Sequence, residues 1–130
     1  MDNYDQINSI RNNSIEKDPY TAFVKGNSFD NLYNQYKNYK PYNINPKSEQ
    51  EYLLLLVQIY RFVTHDLSLY LDVHPDNDKI AQLRDKYNNL YKQSFSEYEL
   101  KYGALNMNSN VLGTVPWNWV VNKFPWEVDK

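Results

Sequence analysis

The chain has 130 residues, which is the size of a single domain, and a formal net charge of −2. With so small a net charge, neither nucleic acid nor an anionic membrane surface is an expected electrostatic partner. The sequence has no cysteine, which excludes disulfides, thiolate metal sites and a cysteine nucleophile, and no apolar run reaches the roughly 18 residues of a membrane span.

The first part of the chain divides into a polar segment and an aromatic one. Residues 1–18 are polar without a hydrophobic period, and we predict that they are disordered. Residues 19–47 form an aromatic arm, with an aromatic or apolar side chain every three to four residues. Within the arm, residues 29–36 match a short helical stripe, and Gly26-Asn27 indicates a turn before it. The arm is too short to bury these side chains alone, so they pack either on the rest of the chain or on a partner.

A first long helix is predicted over residues 49–73. Ser48 and Glu51 have the spacing of a capping box, in which the Ser48 hydroxyl accepts the Glu51 N–H and the Glu51 side chain reaches back to the Ser48 amide. The apolar stripe of this helix is broad enough to need cover on more than one side. Its main positions are Tyr52, Leu56, Ile59, Val63, Leu67 and Tyr70.

A sharp turn follows the first helix. The residue before Pro75 is disfavoured in the helical region, and a proline suits the first turn of the next helix. An acidic residue there is stabilised by the partial positive charge at the N-terminal end of that helix. The predicted turn and cap residues are Asp72, His74, Pro75 and Asp76.

A second helix is predicted over residues 76–102. It ends before Gly103, because glycine suits the position after a helix. Glu97 and Glu99 point to different faces of this helix and do not form a carboxylate pair. The short connection makes the two helices antiparallel. Residues 48–130 are therefore a helical hairpin with a tail, and the predicted fold class is all-α: an antiparallel two-helix hairpin, with an extended aromatic N-terminal arm and an irregular Trp-rich C-terminal tail packed on it.

All three tryptophans lie in the tail, at Trp117, Trp119 and Trp126. The tail either folds over the hairpin as a third layer or supplies an interface hot spot, a role in which tryptophan is favoured, and both can hold for different tryptophans. If the segment after Pro116 is strand-like, Trp117 and Trp119 project to opposite sides. Trp126 is expected to face outward.

The motifs that would indicate chemistry are absent from the sequence. From Asp72 onward the acidic spacing follows the first half of a calcium loop, but Asn77 stands where glycine is needed and Leu83 where a bidentate glutamate is needed. The sequence has no Glu-x-x-His pair for a helical di-metal site, no phosphate-binding glycine loop and no nucleophile elbow. We therefore expect no enzymatic activity, no catalytic residue, no metal site and no cofactor.

Three separately spaced motifs occur in order along the chain. They are Asp66-Leu67-Ser68-Leu69-Tyr70-Leu71-Asp72-Val73-His74-Pro75-Asp76-Asn77, Tyr98-Glu99-x-Lys101-Tyr102-Gly103-Ala104-Leu105, and Pro116-Trp117-Asn118-Trp119 with Pro125-Trp126. Together they resemble the CotJB family of endospore coat proteins over about residues 48–127. The last motif departs from the family at Phe124, where tryptophan is frequent.

The arm has a shorter resemblance of its own. Its motif reads Pro19-Tyr20-x-x-Phe23-x-x-Gly26-Asn27-x-Phe29-x-x-Leu32-Tyr33. This is similar to a segment of CotJA, a small companion protein of the same operon. It departs from CotJA at Lys25, which stands in place of arginine, and at Ser28, which stands in place of leucine.

The resemblance implies a structural, non-enzymatic component of the spore coat, synthesised in the mother-cell cytoplasm. It implies an adaptor for the manganese-catalase-like coat protein of the same operon. Other coat proteins and a second copy of this chain are further candidate partners. The predicted partner-binding residues are Phe23, Phe29, Tyr33, Trp117, Trp119 and Trp126. The alternative is a metal-handling accessory that retains or delivers manganese to that partner through Asp66, Asp72, His74 and Asp76.

Overall fold

The computed structural model describes residues 18–29, 40, 42–113, 115–121, 124 and 126–127. Its helices are α1 (Pro19–Lys25), α2 (Glu49–Val73), α3 (Asp78–Tyr102), a 3-10 turn (Asn110–Leu112) and α4 (Asn118–Val121). α2 and α3 pack on each other as an antiparallel hairpin, which confirms the predicted all-α fold class. The predicted disorder of residues 1–18 and the helical stripe of residues 29–36 lie outside the described residues, except for Asp18 and Phe29.

α2 begins at the residue that the sequence pattern indicates. Ser48 is its N-cap, and the Ser48 Oγ accepts the N–H of Glu51 at 3.2 Å. The Glu51 carboxylate accepts the N–H of Lys47 at 2.7 Å, one residue before the amide expected from a capping box. The bond to Ser48 Oγ satisfies a backbone donor that the first turn of the helix leaves free, whereas the Lys47 N–H lies before the N-cap.

The second helix begins two residues later than predicted, at Asp78. Asn77 is its N-cap, since the Asn77 Oδ1 accepts the N–H of Ile80 at 3.1 Å. Pro75 and Asp76 consequently lie in the turn between the helices and not in the first turn of α3. An amide oxygen is a strong N-cap acceptor, so the helix starts after Asn77.

The hydrophobic core lies between α2 and α3 and continues beneath α1. α2 is the central element, because it contacts both α3 and α1, in agreement with its broad apolar stripe. From α3 the buried apolar side chains are Ile80, Leu83, Tyr87 and Tyr98. From α2 they are Tyr52, Leu53, Leu55, Leu56, Val57, Ile59, Tyr60, Val63 and Leu67. None of the helices in the described part of the chain has the length and apolar character needed to cross a membrane.

α1 is a helix that the sequence reasoning missed. The Asp18 carboxylate accepts the N–H of Thr21 at 3.1 Å, and Pro19 occupies the first helical position. Gly26 ends the helix with a φ of 77°, in the left-handed region that glycine adopts without strain. α1 packs on α2 and buries Ala22 completely, so this part of the arm packs on the hairpin.

Tyr20 joins α1 to the segment that leads into α2. Its phenol donates a hydrogen bond to Asn43 Oδ1 at 2.8 Å and accepts the N–H of Ile44 at 3.0 Å. Tyr20 is buried, and Ile44 packs against the core. The arm is thus held at both ends of its described part.

A salt bridge joins the two helices at the open end of the hairpin. Lys101 Nζ lies 2.7 Å from Glu49 Oε1 and 3.5 Å from Glu97 Oε1. The hydrogen bond from Lys101 lowers the pKa of Glu49, and the same bond raises the pKa of Lys101. All three side chains are exposed, so solvent screening makes this network a weak contributor to stability.

Two core tyrosines should make the fold sensitive to alkali. Loss of hydration raises the pKa values of Tyr52 and Tyr60 from 10.0 to about 12, with a smaller contribution at Tyr60 from Tyr87. Below pH 10 both the folded and the unfolded chain keep these protons. Between about pH 10 and 12 the unfolded chain releases them while the folded chain retains them, so the free energy of unfolding falls.

This alkaline loss should be smaller in a variant that lacks one of the two buried phenols. Tyr60→Phe should have a smaller decrease in unfolding free energy between pH 9 and 12 than the parent, measured by denaturant titration at each pH. Tyr42→Phe is the control, because Tyr42 is exposed. Equal pH dependence of Tyr60→Phe and the parent would contradict the expectation.

Candidate functional site

The C-terminal segment leaves the hairpin through a hydrogen-bonded reversal. The Gly103 N–H donates to the Glu99 carbonyl oxygen at 3.0 Å and caps α3. The Glu99 carboxylate accepts the N–H of Leu105 at 2.9 Å, and Leu105 packs against the core. The start of the tail is therefore attached to the last turn of α3.

A 3-10 turn connects this reversal to the last helix. Ser109 caps it, since the Ser109 Oγ accepts the N–H of Val111 at 3.3 Å. Leu112, at the end of the turn, is buried. α4 contacts the same turn, so this helix rests on a short ordered element.

Three rings form a C-terminal aromatic cluster, which consists of Trp119, Phe124 and Trp126. The Trp119 and Phe124 rings meet edge to face, with centroids 4.8 Å apart. Phe124 and Trp126 stack with centroids 4.7 Å apart and an interplanar angle of 2°. A turn supports the stack: the Glu127 carboxylate accepts the Phe124 N–H at 2.9 Å, and the Glu127 N–H donates to the Phe124 carbonyl oxygen at 3.0 Å.

Much of the apolar surface of this segment faces solvent. Trp126 is 72% exposed although one face of its ring is stacked, and Trp117 is 46% exposed. Trp119 is half-buried. Two exposed tryptophans and three exposed valines make up what we term the C-terminal apolar surface. Its residues are Val115, Trp117, Val120, Val121 and Trp126.

The strand-like geometry considered for Trp117 and Trp119 is not adopted. α4 begins at Asn118, so Trp119 lies on a helical turn and Trp117 precedes it. The Trp117 carbonyl oxygen accepts the N–H of Val120 at 3.1 Å, which closes this turn. The condition for opposite-facing tryptophans, a strand after Pro116, is therefore not met.

Two aromatic residues of the arm, Phe23 and Phe29, pack on α2. The Phe23 ring meets Phe62 edge to face at 5.9 Å, and the Phe29 ring stacks on Tyr70 at 4.6 Å. Phe29 is buried by these contacts, whereas Phe23 is half-buried. Tyr33, the third aromatic residue predicted to bind a partner, lies outside the described residues.

The arm is also attached to α2 by a hydrogen bond near the hairpin turn. Asp66 Oδ2 accepts the N–H of Ser28 at 2.9 Å. The Tyr70 ring, stacked on Phe29, has His74 on its other side with centroids 4.3 Å apart. The Asp66 side chain thus holds the arm, and His74 caps α2 with its backbone N–H, which donates to the Tyr70 carbonyl oxygen at 3.0 Å.

The residues considered for metal handling do not form a ligand set. Asp72 and Asp76 are exposed at the hairpin turn, and an open cleft there is lined by residues 73–78. Asp66 lies at the arm and bonds to its backbone. Within the part of the chain that the structure describes, no three His, Cys, Asp or Glu side chains are arranged to hold a metal ion. No observation on these residues favours the metal-handling alternative.

Phe29→Ala should release the described part of the arm from the hairpin. Truncation of a buried phenylalanine destabilises by about 3–5 kcal/mol, and a seven-residue helix is too short to persist when its packing on α2 is weakened. Hydrogen exchange should become fast for the amides of α1 and stay slow for those of α2. Tyr42→Ala is the control, since Tyr42 is 81% exposed. Slow exchange of α1 in Phe29→Ala would contradict the packing role of Phe29.

The comparison with protein families decides the class of this hairpin and tail. The family model described as CotJB protein matches residues 51–127, which is more than half of the chain. The chain belongs to the CotJB family. CotJB proteins are a spore coat family without known catalytic activity. No curated protein and no solved structure matched the chain.

The residues matched by the CotJB model contain the helical hairpin and the C-terminal aromatic cluster. The bounds of the match include nearly all of α2, the whole of α3 and the C-terminal aromatic cluster. α1 and the rest of the arm precede it, so the match does not extend to the segment that resembles CotJA. Membership of the family implies a protein of the spore coat.

Proposed function

We propose that this chain is a structural adaptor of the endospore coat that binds the manganese-catalase-like protein of the same operon. The α2–α3 hairpin serves as a rigid scaffold, and the C-terminal apolar surface is the contact surface. The resemblance of the arm to CotJA belongs to the same proposal and rests on the sequence alone. Spore coat membership is supported by the CotJB match, and the choice of partner by the family resemblance.

The observation that carries the binding role is the position of Trp126. Its ring is 72% exposed, and it is fixed by stacking on Phe124. An exposed tryptophan is unfavourable in water, but one that is already oriented loses little freedom when a partner covers it. Tryptophan is also enriched among the few residues that dominate binding energy at interfaces.

The surroundings of Trp126 support the same role. Trp117 and three valines of the segment are exposed, although apolar side chains of this size are usually covered. A large contiguous patch of exposed apolar side chains is typical of interaction sites. The arm aromatics Phe23 and Phe29 pack on α2, whereas Trp117 and Trp126 of the C-terminal segment are exposed.

Co-expression with the manganese-catalase-like protein tests the proposal. We expect the two chains to co-elute in size exclusion and to dissociate with a measurable Kd when the purified proteins are mixed. Trp126→Ala is the test variant, and Leu69→Ala is its matched control. Leu69 is also an exposed apolar residue, but it lies near the hairpin turn, at the opposite end of the hairpin from the start of the tail. Separate elution of the parent chain and the catalase-like protein would contradict the adaptor role.

A further inference from the structure

A buried carboxylate lies where the chain leaves the hairpin. Glu99, in the last turn of α3, is only 8% exposed, whereas Glu97 on the same helix is exposed. Charged side chains are rarely buried without a partner, because loss of hydration is unfavourable for the charge. The burial of Glu99 therefore requires an interaction that compensates for it.

α3 itself does not supply this interaction. The C-terminal end of a helix carries partial negative charge, which disfavours a carboxylate in the last turn. The compensating bond comes from the tail, since Glu99 Oε2 accepts the N–H of Leu105 at 2.9 Å.

The backbone of the same residue holds the first step of the reversal. The Glu99 carbonyl oxygen accepts the N–H of Gly103 at 3.0 Å. Gly103 has a φ of 109°, which residues with a Cβ rarely adopt, and it turns the chain away from the helix axis. Leu105 then packs against the core. Residues 103–105 are therefore held by the carbonyl oxygen of Glu99, by its carboxylate and by the packing of Leu105.

We infer that Glu99 is a positioning residue for the C-terminal apolar surface. Its carboxylate sets the direction in which the chain leaves α3, and thereby the place of Trp117 and Trp126 relative to the hairpin. Without this acceptor the Leu105 N–H has no carboxylate partner, and the tail can leave the hairpin in more than one direction. A partner then binds only the fraction of chains with the right geometry, which lowers its apparent affinity. The consequence for binding rests on the proposed function, whereas the placement of the tryptophans does not.

Three variants of the full chain test this role. Glu99→Ala removes the acceptor, whereas Glu99→Gln keeps an amide oxygen that can accept the Leu105 N–H. Glu97→Ala removes an exposed carboxylate of the same helix and is the matched control. Tryptophan fluorescence reports the tail alone, because all three tryptophans lie after residue 116. Far-ultraviolet circular dichroism reports the helices, and titration with the manganese-catalase-like protein reports binding.

We expect Glu99→Ala to lower the tryptophan anisotropy, to increase quenching by iodide and to weaken partner binding by about tenfold or more, with the helical signal retained. Glu99→Gln and Glu97→Ala should stay close to the parent in all three measurements. Parent-like fluorescence of Glu99→Ala, an equal change in Glu97→Ala, or loss of the helical signal in Glu99→Ala would each overturn the positioning role. If Glu99→Ala alters the fluorescence but the parent chain does not bind the catalase-like protein, the positioning role stands and the proposed function fails.

Discussion

Leu56→Ala should lower the free energy of unfolding by about 2–5 kcal/mol. Leu56 lies on α2 within the core and is 8% exposed. Alanine in its place removes apolar contacts and leaves a cavity between two helices that are held by many other side chains, so the surroundings relax only partly. Urea unfolding followed by circular dichroism measures the loss, with an unchanged slope showing that the folded state stays compact.

The chain offers a matched series for this measurement. Leu90 on α3 is half-buried, and Leu100 on the same helix is 78% exposed, so Leu→Ala removes the same atoms from three environments. The expected order of destabilisation is Leu56, then Leu90, then Leu100, with Leu100→Ala within about 0.5 kcal/mol of the parent. A loss at Leu100 as large as that at Leu56 would contradict the assignment of the buried and exposed faces.

The hairpin could be predicted from the sequence because its signals are long and mutually consistent. Apolar residues at intervals of three and four extend over both helices, and Ser48 and Gly103 mark an end of each. The bounds of α2 match the prediction, residues 49–73. The start of α3 does not, because several polar residues near Pro75 can cap a helix and only the fold shows that Asn77 does so.

α1 was missed because a seven-residue helix is too short for a recognisable period. A local signal was present nonetheless. Asp18 followed by Pro19 is a strong helix start, and Gly26 is a suitable stop. The aromatic spacing of residues 19–47 is a longer pattern than these caps, and it favours an extended arm over a short helix.

The geometry of the tail could be predicted only in outline. Clustered tryptophans indicate an aromatic segment, but the stack of Phe124 on Trp126 depends on the turn closed by Glu127. The hydrogen bond between the Glu99 carboxylate and the Leu105 N–H also has no signal in the sequence. The helical period separates the face of Glu99 from that of Glu97, yet it does not indicate that the Leu105 backbone would return to that face. Contacts between side chains and irregular backbone leave no period in a sequence.

Trp126→Ala should separate binding from stability. Trp126 is the most exposed of the three tryptophans, so its removal should leave the melting temperature of the hairpin nearly unchanged. If it is an interface hot spot, partner binding should weaken by at least ~2 kcal/mol, or roughly thirtyfold. Thermal melting by circular dichroism and titration with the manganese-catalase-like protein measure the two effects on the same samples.

Alanine variants of the other two tryptophans show whether the tail binds the partner or is part of the core. Trp119 is half-buried against Phe124, so Trp119→Ala should loosen the C-terminal aromatic cluster and reduce both stability and binding. Trp117→Ala should resemble Trp126→Ala with a smaller effect, because less of its surface is free. If all three variants lose stability in proportion to binding, the tail is a third layer of the core and the contact surface for the partner lies on another part of the chain.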